Sequence, residues 1–454
     1  MKAHILRIIF FILWLLGSGQ FLFAQEALTL KEALETALRQ NPGLRAAGQS
    51  LEQARHGLVS ARAKVFPALS LAGNYQYTWD RPEYVMTLPL PPILGGNTEI
   101  KMPTGAEHTF TGAVVLEQPL FTGGALSAGI GIASDALKTA KLGYRAAEQQ
   151  TIENVYSAFY GVLLTQSLIE VAEGAVKNAQ TNLNQVEKRY REGAASRFER
   201  LRAQVQLATI RPNLTEARNS YETAVEHLKD LLGLDKQKGI TVTGFFEPRR
   251  DTLLSEDINT LVEKAYTQRP EYQMQRLQKD IGAKKVRLAR AEFFPILALS
   301  SALQWQAQKD DFSVGGDDFE RTFYAGVSLR IPIFEGLGSK ARYGEARAEL
   351  RKTEIEEENL KNLIATEIRT LYNELIQAQE ILQSQKEVVA QAKEGLRLAN
   401  LLYEEGAATL LEVIDAQLAA TQAGTSYYRA IYQFNTASIK LERAVGSLKT
   451  DSIL

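Results

Sequence analysis

A seven-residue apolar repeat, sustained far longer than a globular surface helix needs, sets the terms for this chain, and it occurs twice. The first copy steps through Val155, Val162, Ile169, Val176, Leu183 and Tyr190, then turns through Arg-Glu-Gly-Ala-Ala-Ser at 191–196. The second steps through Ile368, Leu375, Leu382, Val389, Leu396 and Tyr403, then turns through Glu-Glu-Gly-Ala-Ala-Thr at 404–409, a constant displacement of 213 positions (190 to 403). A period of seven held this long is a coiled-coil seam and not the 3.6-residue stripe of a surface helix. Small residues at the second seam position (Ala158, Ala172 and Ala179; Ala378, Ala392 and Ala399) let neighbouring helices approach closely. Return helices are expected over Phe198–Leu232 and Leu411–Val445, each stopping at a glycine, Gly233 or Gly446. Pro212 and Gly424 fall midway and predict a kink or break in each. Two unrelated helices would not share both the period and the turn, so the fold is an internal duplication.

The duplication extends upstream. A helix over Leu30–Gln40 halts at Asn41-Pro42, and a second over Leu44–Lys64 ends at Val65-Phe66-Pro67. The same construction returns as Leu261–Gln268, Arg269-Pro270, Tyr272–Ala291 and Phe293-Phe294-Pro295. This register is displaced by 228 positions (67 to 295), so an insertion lies between Pro67 and Pro119. The first repeat is assigned to 25–233, a linker to 234–254, the second repeat to 255–446 and a tail to 447–454. Residues 1–24 read as a secretory signal peptide: Lys2 and Arg7, an apolar run from Ile8 to Leu16, and Ala24 before Gln25.

After each Phe-Pro the period changes from helix to strand. Leu69, Leu71, Tyr75, Tyr77 and Trp79 alternate with Ser70, Asn74, Gln76 and Thr78. Leu297, Leu299, Leu303 and Trp305 alternate with Ser300, Gln304 and Gln306. The returning strands place Phe110 and Val114 in the first copy, and Phe323, Val327 and Leu329 in the second, on the apolar side. Strands are expected at about 68–79, 108–118, 296–308 and 321–331. Alternation of this length, ending in Tyr and Trp, suits a strand with one face in lipid and an aromatic belt at the interface. Eleven or so residues at about 3.4 Å, tilted about 45°, cover about 26 Å, the height of an outer-membrane apolar band. A soluble sheet with one dry face gives the same alternation, but the polar face here lacks the charge of a water-exposed exterior.

Two loops join the strand pairs. One, Asp80–Glu107, carries the insertion and is rich in Pro and Gly; the other, Lys309–Glu320, carries Asp310, Asp311, Asp317 and Asp318. Calcium would suit such acids, but the spacing is not that of an EF-hand loop, and a solvated hairpin is expected.

Composition excludes several classes. With 52 basic and 53 acidic residues there is no electrostatic case for a nucleic-acid partner. No cysteine is present, which removes disulfides, thiolate metal sites and a Cys nucleophile. The four His (His4, His56, His108, His227) have no metal-ligand spacing, and neither a phosphate loop nor a nucleophile elbow occurs. No cofactor, metal or catalytic site is expected. No apolar run beyond the signal segment approaches a membrane helix, so a membrane role must use strands.

Four strands cannot close a barrel, and open edges are not tolerated in hydrocarbon. Two copies give eight strands with a filled interior; three give twelve and a water-filled lumen lined by Ser70, Asn74, Gln76, Gln304 and Gln306. The expected class is therefore mainly α with a membrane β-barrel portion: duplicated antiparallel coiled-coil helices plus four strands per protomer, a homotrimer forming a 12-stranded barrel and an α-helical tunnel. Ala125–Glu192, 68 residues, is about 100 Å long at 1.5 Å per residue.

Nearly the whole mature chain, residues 26–446, resembles the TolC family of outer-membrane export channels. The resemblance rests on Asn41-Pro42, the duplicated Phe-Pro strand entries, the exits Gln-Pro-Leu-Phe and Ile-Pro-Ile-Phe, and the tip patterns Tyr190-x-x-Gly193 and Tyr403-x-x-Gly406. It implies a passive trimeric conduit in the outer membrane of a tripartite efflux or type I secretion system. The helical tip in the periplasm is closed at rest and docks an adaptor protein linked to an inner-membrane pump. It places tip closure and docking at Tyr190, Gly193, Ser196, Glu199, Tyr403, Gly406 and Thr409, and the constriction at Glu412 and Asp415, which lie three apart on one helical face. A hydrogen bond from Tyr403 to Glu199 is possible; the family's Arg position falls on Ala408, so its contact is absent. Two alternatives stand against a channel. A periplasmic adaptor also carries long hairpins but needs compact β domains around one hairpin, and an enzyme lacks its machinery here.

Overall fold

A computed structural model of the chain describes residues 26–89, 93, 98–251 and 253–449. The signal-peptide assignment, part of the Asp80–Glu107 loop and the last residues of the tail lie outside the described residues.

The elements follow in order: β1 (Glu26–Leu28), α1 (Leu30–Gln40), α2 (Pro42–Ala63), β2 (Ala68–Tyr77), β3 (Glu83–Leu88), β4 (Thr98–Pro103) and β5 (His108–Thr122). Then come α3 (Ala125–Arg191), α4 (Arg197–Leu232), β6 (Ile240–Val242), α5 (Ile258–Gln268), α6 (Pro270–Ala291), β7 (Ile296–Lys309), β8 (Glu320–Arg330), α7 (Gly338–Glu404) and α8 (Leu410–Val445). They form two compact units. One holds the described residues up to Ser50 with Lys141–Met274 and those from Glu358 onward; the other holds Leu51–Ala140 and Gln275–Glu357.

In the first unit the duplication is written into the core. Val155, Val162, Leu228 and Leu232 are all 0% exposed, as are Ile368, Leu375, Leu441 and Val445 at the positions 213 further on. The first set packs with Leu34, Tyr156 and Phe159, the second with Leu261, Ile364 and Phe434. Each fully buried side chain of this size contributes about 1.5–3 kcal/mol against an exposed reference. An 18-residue window of α3 is apolar enough by composition to cross a membrane, contrary to the sequence reading. The same helix buries Val155, Tyr156, Phe159 and Val162 against other helices, which accounts for its apolarity as core.

Short helices are set by their caps. Thr29 and Glu32 form a reciprocal capping box at the start of α1, and Asn41 ends it by donating through Nδ2 to the Leu231 carbonyl at 2.7 Å. Of the kink or break expected at Pro212 and Gly424, a break does not occur: α4 runs unbroken through Pro212, and α8 through a buried Gly424. A proline forfeits one backbone bond, and Leu207 on one side with Val225, Leu228 and Leu232 on the other are buried firmly enough to carry the helix across.

The segment read as a linker is more ordered than expected. Its β6 pairs in parallel with β1, Leu28 opposite Val242, and Ile240 and Val242 are buried. Arg249 donates to the Glu442 carboxylate at 2.9 Å, with both side chains 13% exposed, and Asn435 bonds the linker backbone on both sides of Pro248.

The second unit contains a four-stranded antiparallel sheet in the order β2-β5-β7-β8, so β2 and β8 are its edges. Against the expectation of a plain loop, the insertion forms a hairpin, β3 with β4, pairing Met86 opposite Ile100. The turn that leads from β5 into α3 uses Gly123 and Gly124, both at positive φ (63° and 92°). In the second copy the equivalent pair is Gly336 (φ 61°) and Leu337 (φ 68°), so a leucine occupies a left-handed position that glycine fills in the first.

Candidate functional site

The two hairpin tips are built alike. In the first, α3 ends and Gly193 takes φ 77°, with Ala194 N donating back to the Arg189 carbonyl at 2.8 Å. In the second, α7 ends and Gly406 takes φ 76°, with Ala407 N donating to the Leu402 carbonyl at 2.8 Å. This left-handed cap needs glycine. Each return helix then opens on a reciprocal capping box: Ser196 N donates to Glu199 Oε2 at 2.6 Å, and Thr409 N to Glu412 Oε2 at 2.6 Å. These backbone and hydroxyl bonds hold the Glu412 carboxyl below the usual carboxylate range, the backbone bond from Thr409 being the larger cause.

The tips differ in what surrounds their tyrosines. Tyr403 is 4% exposed, in a cluster with Val186, Leu183, Leu207, Leu410 and Val413. Arg189, at the end of α3, reaches it: the guanidinium carbon lies 4.9 Å from the ring centre, and Nη1 donates to the Tyr403 carbonyl at 2.9 Å. Beside it Gln185 Nε2 donates to Glu404 Oε1 at 2.9 Å. Burial raises the Tyr403 phenol above its ordinary pKa, with the Glu199 charge adding to the rise and Arg189 opposing it. Tyr190 is only half-buried and lies under the Arg200 guanidinium at 4.6 Å.

Several side chains sit elsewhere than the sequence suggested. Among the described residues there is no hydrogen bond between Tyr403 and Glu199, because the Glu199 carboxylate is turned back onto its own cap at Ser196. Position 408 is alanine, and the arginine that contacts the second tip is Arg189 of the first hairpin. Asp415 is exposed, and Glu412, three residues earlier, is held by Thr409. Two residues further along α8, Gln417 is 1% exposed and donates to the Ala175 carbonyl at 2.8 Å, which ties α8 to α3. Nothing in the sequence sets Gln417 apart from its counterpart Gln204, which is the same residue and yet exposed.

The sheet register sorts the other candidate residues. Directly opposed residues share a face. Leu69, Leu71 and Tyr75 oppose Leu116, Val114 and Phe110, and Tyr77 opposes His108. Val114 opposes Leu303, Leu303 opposes Phe323, Leu299 opposes Val327 and Leu297 opposes Leu329. Trp305, opposite Gly112, lies on this face as well, and Trp79, just past the end of β2, is 87% exposed. Leu71 at 79% and Val327 at 61% are uncovered by anything in the chain. The opposite face carries Ser70, Asn74, Gln76, Gln304 and Gln306, with Asn74 opposite Thr111 and Thr111 opposite Gln306. In the second-hairpin loop Asp310 pairs with Arg81 at 2.6 Å and Asp318 with Lys309 at 2.7 Å. No group of three or more metal-ligating side chains occurs among the described residues.

The profile of a family described as Outer membrane efflux protein matches residues 33–234 and 261–447, both copies of the duplication. The chain belongs to that family. Among similar proteins, Outer membrane protein TolC of Escherichia coli (strain K12) is 20% identical over 456 residues, 97% of this chain and 86% of that protein. Cobalt-zinc-cadmium resistance protein CzcC of Cupriavidus metallidurans is 23% identical over 433 residues, 93% of this chain and 92% of that one. The fold is shared with the CmeC outer membrane channel of Campylobacter jejuni at a TM-score of 0.75 and 17% identity, covering 93% of this chain and 88% of that one. This efflux protein is therefore an outer-membrane channel component, and its long helices and sheet are those of the shared fold.

Proposed function

We propose that the efflux protein works as a homotrimer in which each chain donates its four strands to one 12-stranded barrel and its helices to one periplasmic tunnel. The observation that carries this reading is the sheet itself: one face mainly apolar, with Leu69, Leu71, Phe323, Val327 and Leu329 exposed, and two edges, β2 and β8, unpaired among the described residues. Unpaired strand edges cost several kcal/mol per exposed group in hydrocarbon, so the edges must meet those of other copies. In that arrangement Leu69, Leu71, Tyr75, Tyr77, Trp79, Phe110, Val114, Leu297, Leu299, Leu303, Trp305, Phe323, Val327 and Leu329 face outer-membrane lipid. The half-buried seam residues Leu382, Val389 and Leu396 of α7 pack against a neighbouring copy.

The tip serves as the gate. Arg189 holds the end of α7 against α3 in the closed arrangement, and Glu412 and Asp415 form the constriction, with Asp415 the carboxylate free to meet a passing cation. Tyr190, Gly193, Ser196, Glu199, Tyr403, Gly406 and Thr409 shape the tip surface that docks a periplasmic adaptor, linked in turn to an inner-membrane pump. Transport is passive, and the pump selects the cargo. Relatives of comparable identity carry names as different as alkaline protease secretion and cobalt-zinc-cadmium resistance, which supports leaving cargo choice to the partners.

The absence of native cysteine makes the test direct. With Ser70→Cys on β2 fixed, a cysteine scanned along β8 gives covalent trimers on a non-reducing gel at positions of one register. Failure to crosslink at every β8 position, in protein recovered from the outer membrane, contradicts closure between copies.

A further inference from the structure

A cleft of about 510 Å³ opens where the helices meet the sheet, between the C-terminal turns of α6 and the first turn of α3. Gly123, Gly124 and Ser127 form one wall; Lys284, Arg287 and Arg290, spaced by three along α6, form the other, with Phe294 at the end. Spacing by three keeps the cations on one side of the helix. Their surroundings treat them unequally. The Lys284 ammonium is paired with Asp135, a side chain 4% exposed that also holds Lys138 at 3.0 Å. Arg287 and Arg290 have no carboxylate partner among the described residues, and the Arg290 guanidinium lies 6.0 Å from the Phe294 ring. Two exposed guanidinium groups, unpaired by any carboxylate among the described residues, thus share the cleft with an ammonium that Asp135 already neutralises.

The scaffold does not require this. At the corresponding positions of α2, 228 residues earlier, stand His56, Val59 and Arg62, so the first copy builds the same helix without the cation row. Nor is the cleft at a place where another copy would cover it by strand pairing. It lies at the foot of β5 and β7, the two inner strands of the sheet. The apolar band begins at once: Phe293 and Phe294 are exposed, and Leu297 and Leu299 follow on the face that carries Leu69 and Leu71.

We propose that this cleft binds the phosphate diester of an anionic glycerophospholipid at the helix-side rim of the membrane. The headgroup phosphate takes Arg287 and Arg290, whose planar forks suit bidentate phosphate contacts, and the acyl chains run down the apolar strand face. Basic pockets bordering a hydrocarbon band recognise anionic headgroups by this combination of charge and adjacent apolar surface. The proposal rests on the membrane-inserted reading of the sheet, in which the helix side faces the phospholipid leaflet.

The test uses the full-length protein, purified in detergent and delipidated, with retained lipid counted by native mass spectrometry. Dioleoylphosphatidylglycerol is expected to be retained at up to one molecule per protomer, at about a tenfold lower concentration than dioleoylphosphatidylcholine. Arg287→Gln with Arg290→Gln removes that preference, and Arg287→Lys with Arg290→Lys keeps most of it. Equal retention of the two lipids, or an unchanged preference in the double-Gln protein, overturns the proposal. Displacement of phosphatidylglycerol by an equal concentration of sodium phosphate also overturns it, since the cleft then reads free phosphate and not lipid. An intact trimer without lipid preference rejects this site alone; a monomer soluble without detergent rejects the membrane reading beneath it.

Discussion

The Arg189 guanidinium stacks 4.9 Å from the centre of the Tyr403 ring and donates to the Tyr403 carbonyl at 2.9 Å, so the end of one long helix is fastened to the end of the other. Both partners come from tips that are otherwise copies of one another. The contact is what distinguishes them, because the first-copy tyrosine, Tyr190, lies under Arg200 of its own hairpin.

Arg189→Ala is expected to loosen the tip. A charge-assisted hydrogen bond of about 1.5–3 kcal/mol and a cation–π contact of about 0.5–1 kcal/mol are lost together. In planar-bilayer recordings the variant should show a higher open probability at unchanged maximal conductance. Arg189→Lys keeps the charge without the planar fork and should fall between. An open probability equal to wild type removes Arg189 from the gate.

The tip also shows how far sequence carries. The glycine turns and the Ser196-x-x-Glu199 and Thr409-x-x-Glu412 boxes are local, so the residues alone specify them. The resemblance assigns Glu412 to gating and Glu199 to tip closure, whereas the carboxylates of both are engaged by their own helix caps. Arg189 meeting Tyr403 was not legible, because it depends on how two coiled-coil hairpins are staggered, which no heptad pattern records. In the sheet, period-two alternation was enough to sort Leu71, Val114, Leu303 and Phe323 onto one face, since one-residue slips would invert every side chain. β1 is three residues long, too short to alternate, and the prolines around Tyr84–Leu88 masked the β3–β4 hairpin.

Glu442 predicts a pH effect. Burial raises its pKa above the ordinary carboxylate value, Asp251 adds to the rise, and Arg249 opposes both. The folded state therefore binds this proton more tightly than the unfolded chain. Its contribution makes stability rise as pH falls from the folded pKa toward the ordinary value near 4.5, and above that window the ionised form works against folding. Thermal melts across that window should show a smaller acid-side gain in Glu442→Gln than in wild type; identical pH profiles exclude the effect. Arg249→Ala, which strands the carboxylate, should cost about 3–5 kcal/mol at neutral pH.

Leu337 holds φ 68° where the first copy has Gly124 at φ 92°. A non-glycine residue in the left-handed region costs about 1–2 kcal/mol, partly offset by the extra freedom glycine has when unfolded. Leu337 is 67% exposed, so its side chain returns little in packing within the chain. Leu337→Gly should raise stability by about 0.5–1 kcal/mol, measured as denaturant resistance of the detergent-solubilised protein. A loss of stability instead means the leucine is packed against something outside its own chain.

The two sheet faces should respond oppositely to charge. Leu299→Arg, opposite Val327 in mid-strand, should cost about 2–4 kcal/mol and reduce assembled protein in the outer-membrane fraction. Ser300→Arg, the next residue, points to the other face and should assemble normally while changing ion selectivity. The reverse pattern inverts the facing of the barrel.

Closure of three four-stranded sheets into one conduit is tested most directly by the mass of the mature protein released from the outer membrane in mild detergent. Native mass spectrometry should give three chains in one particle that dissociates only on heating. A single chain, stable in water without detergent, contradicts the shared barrel and everything derived from it.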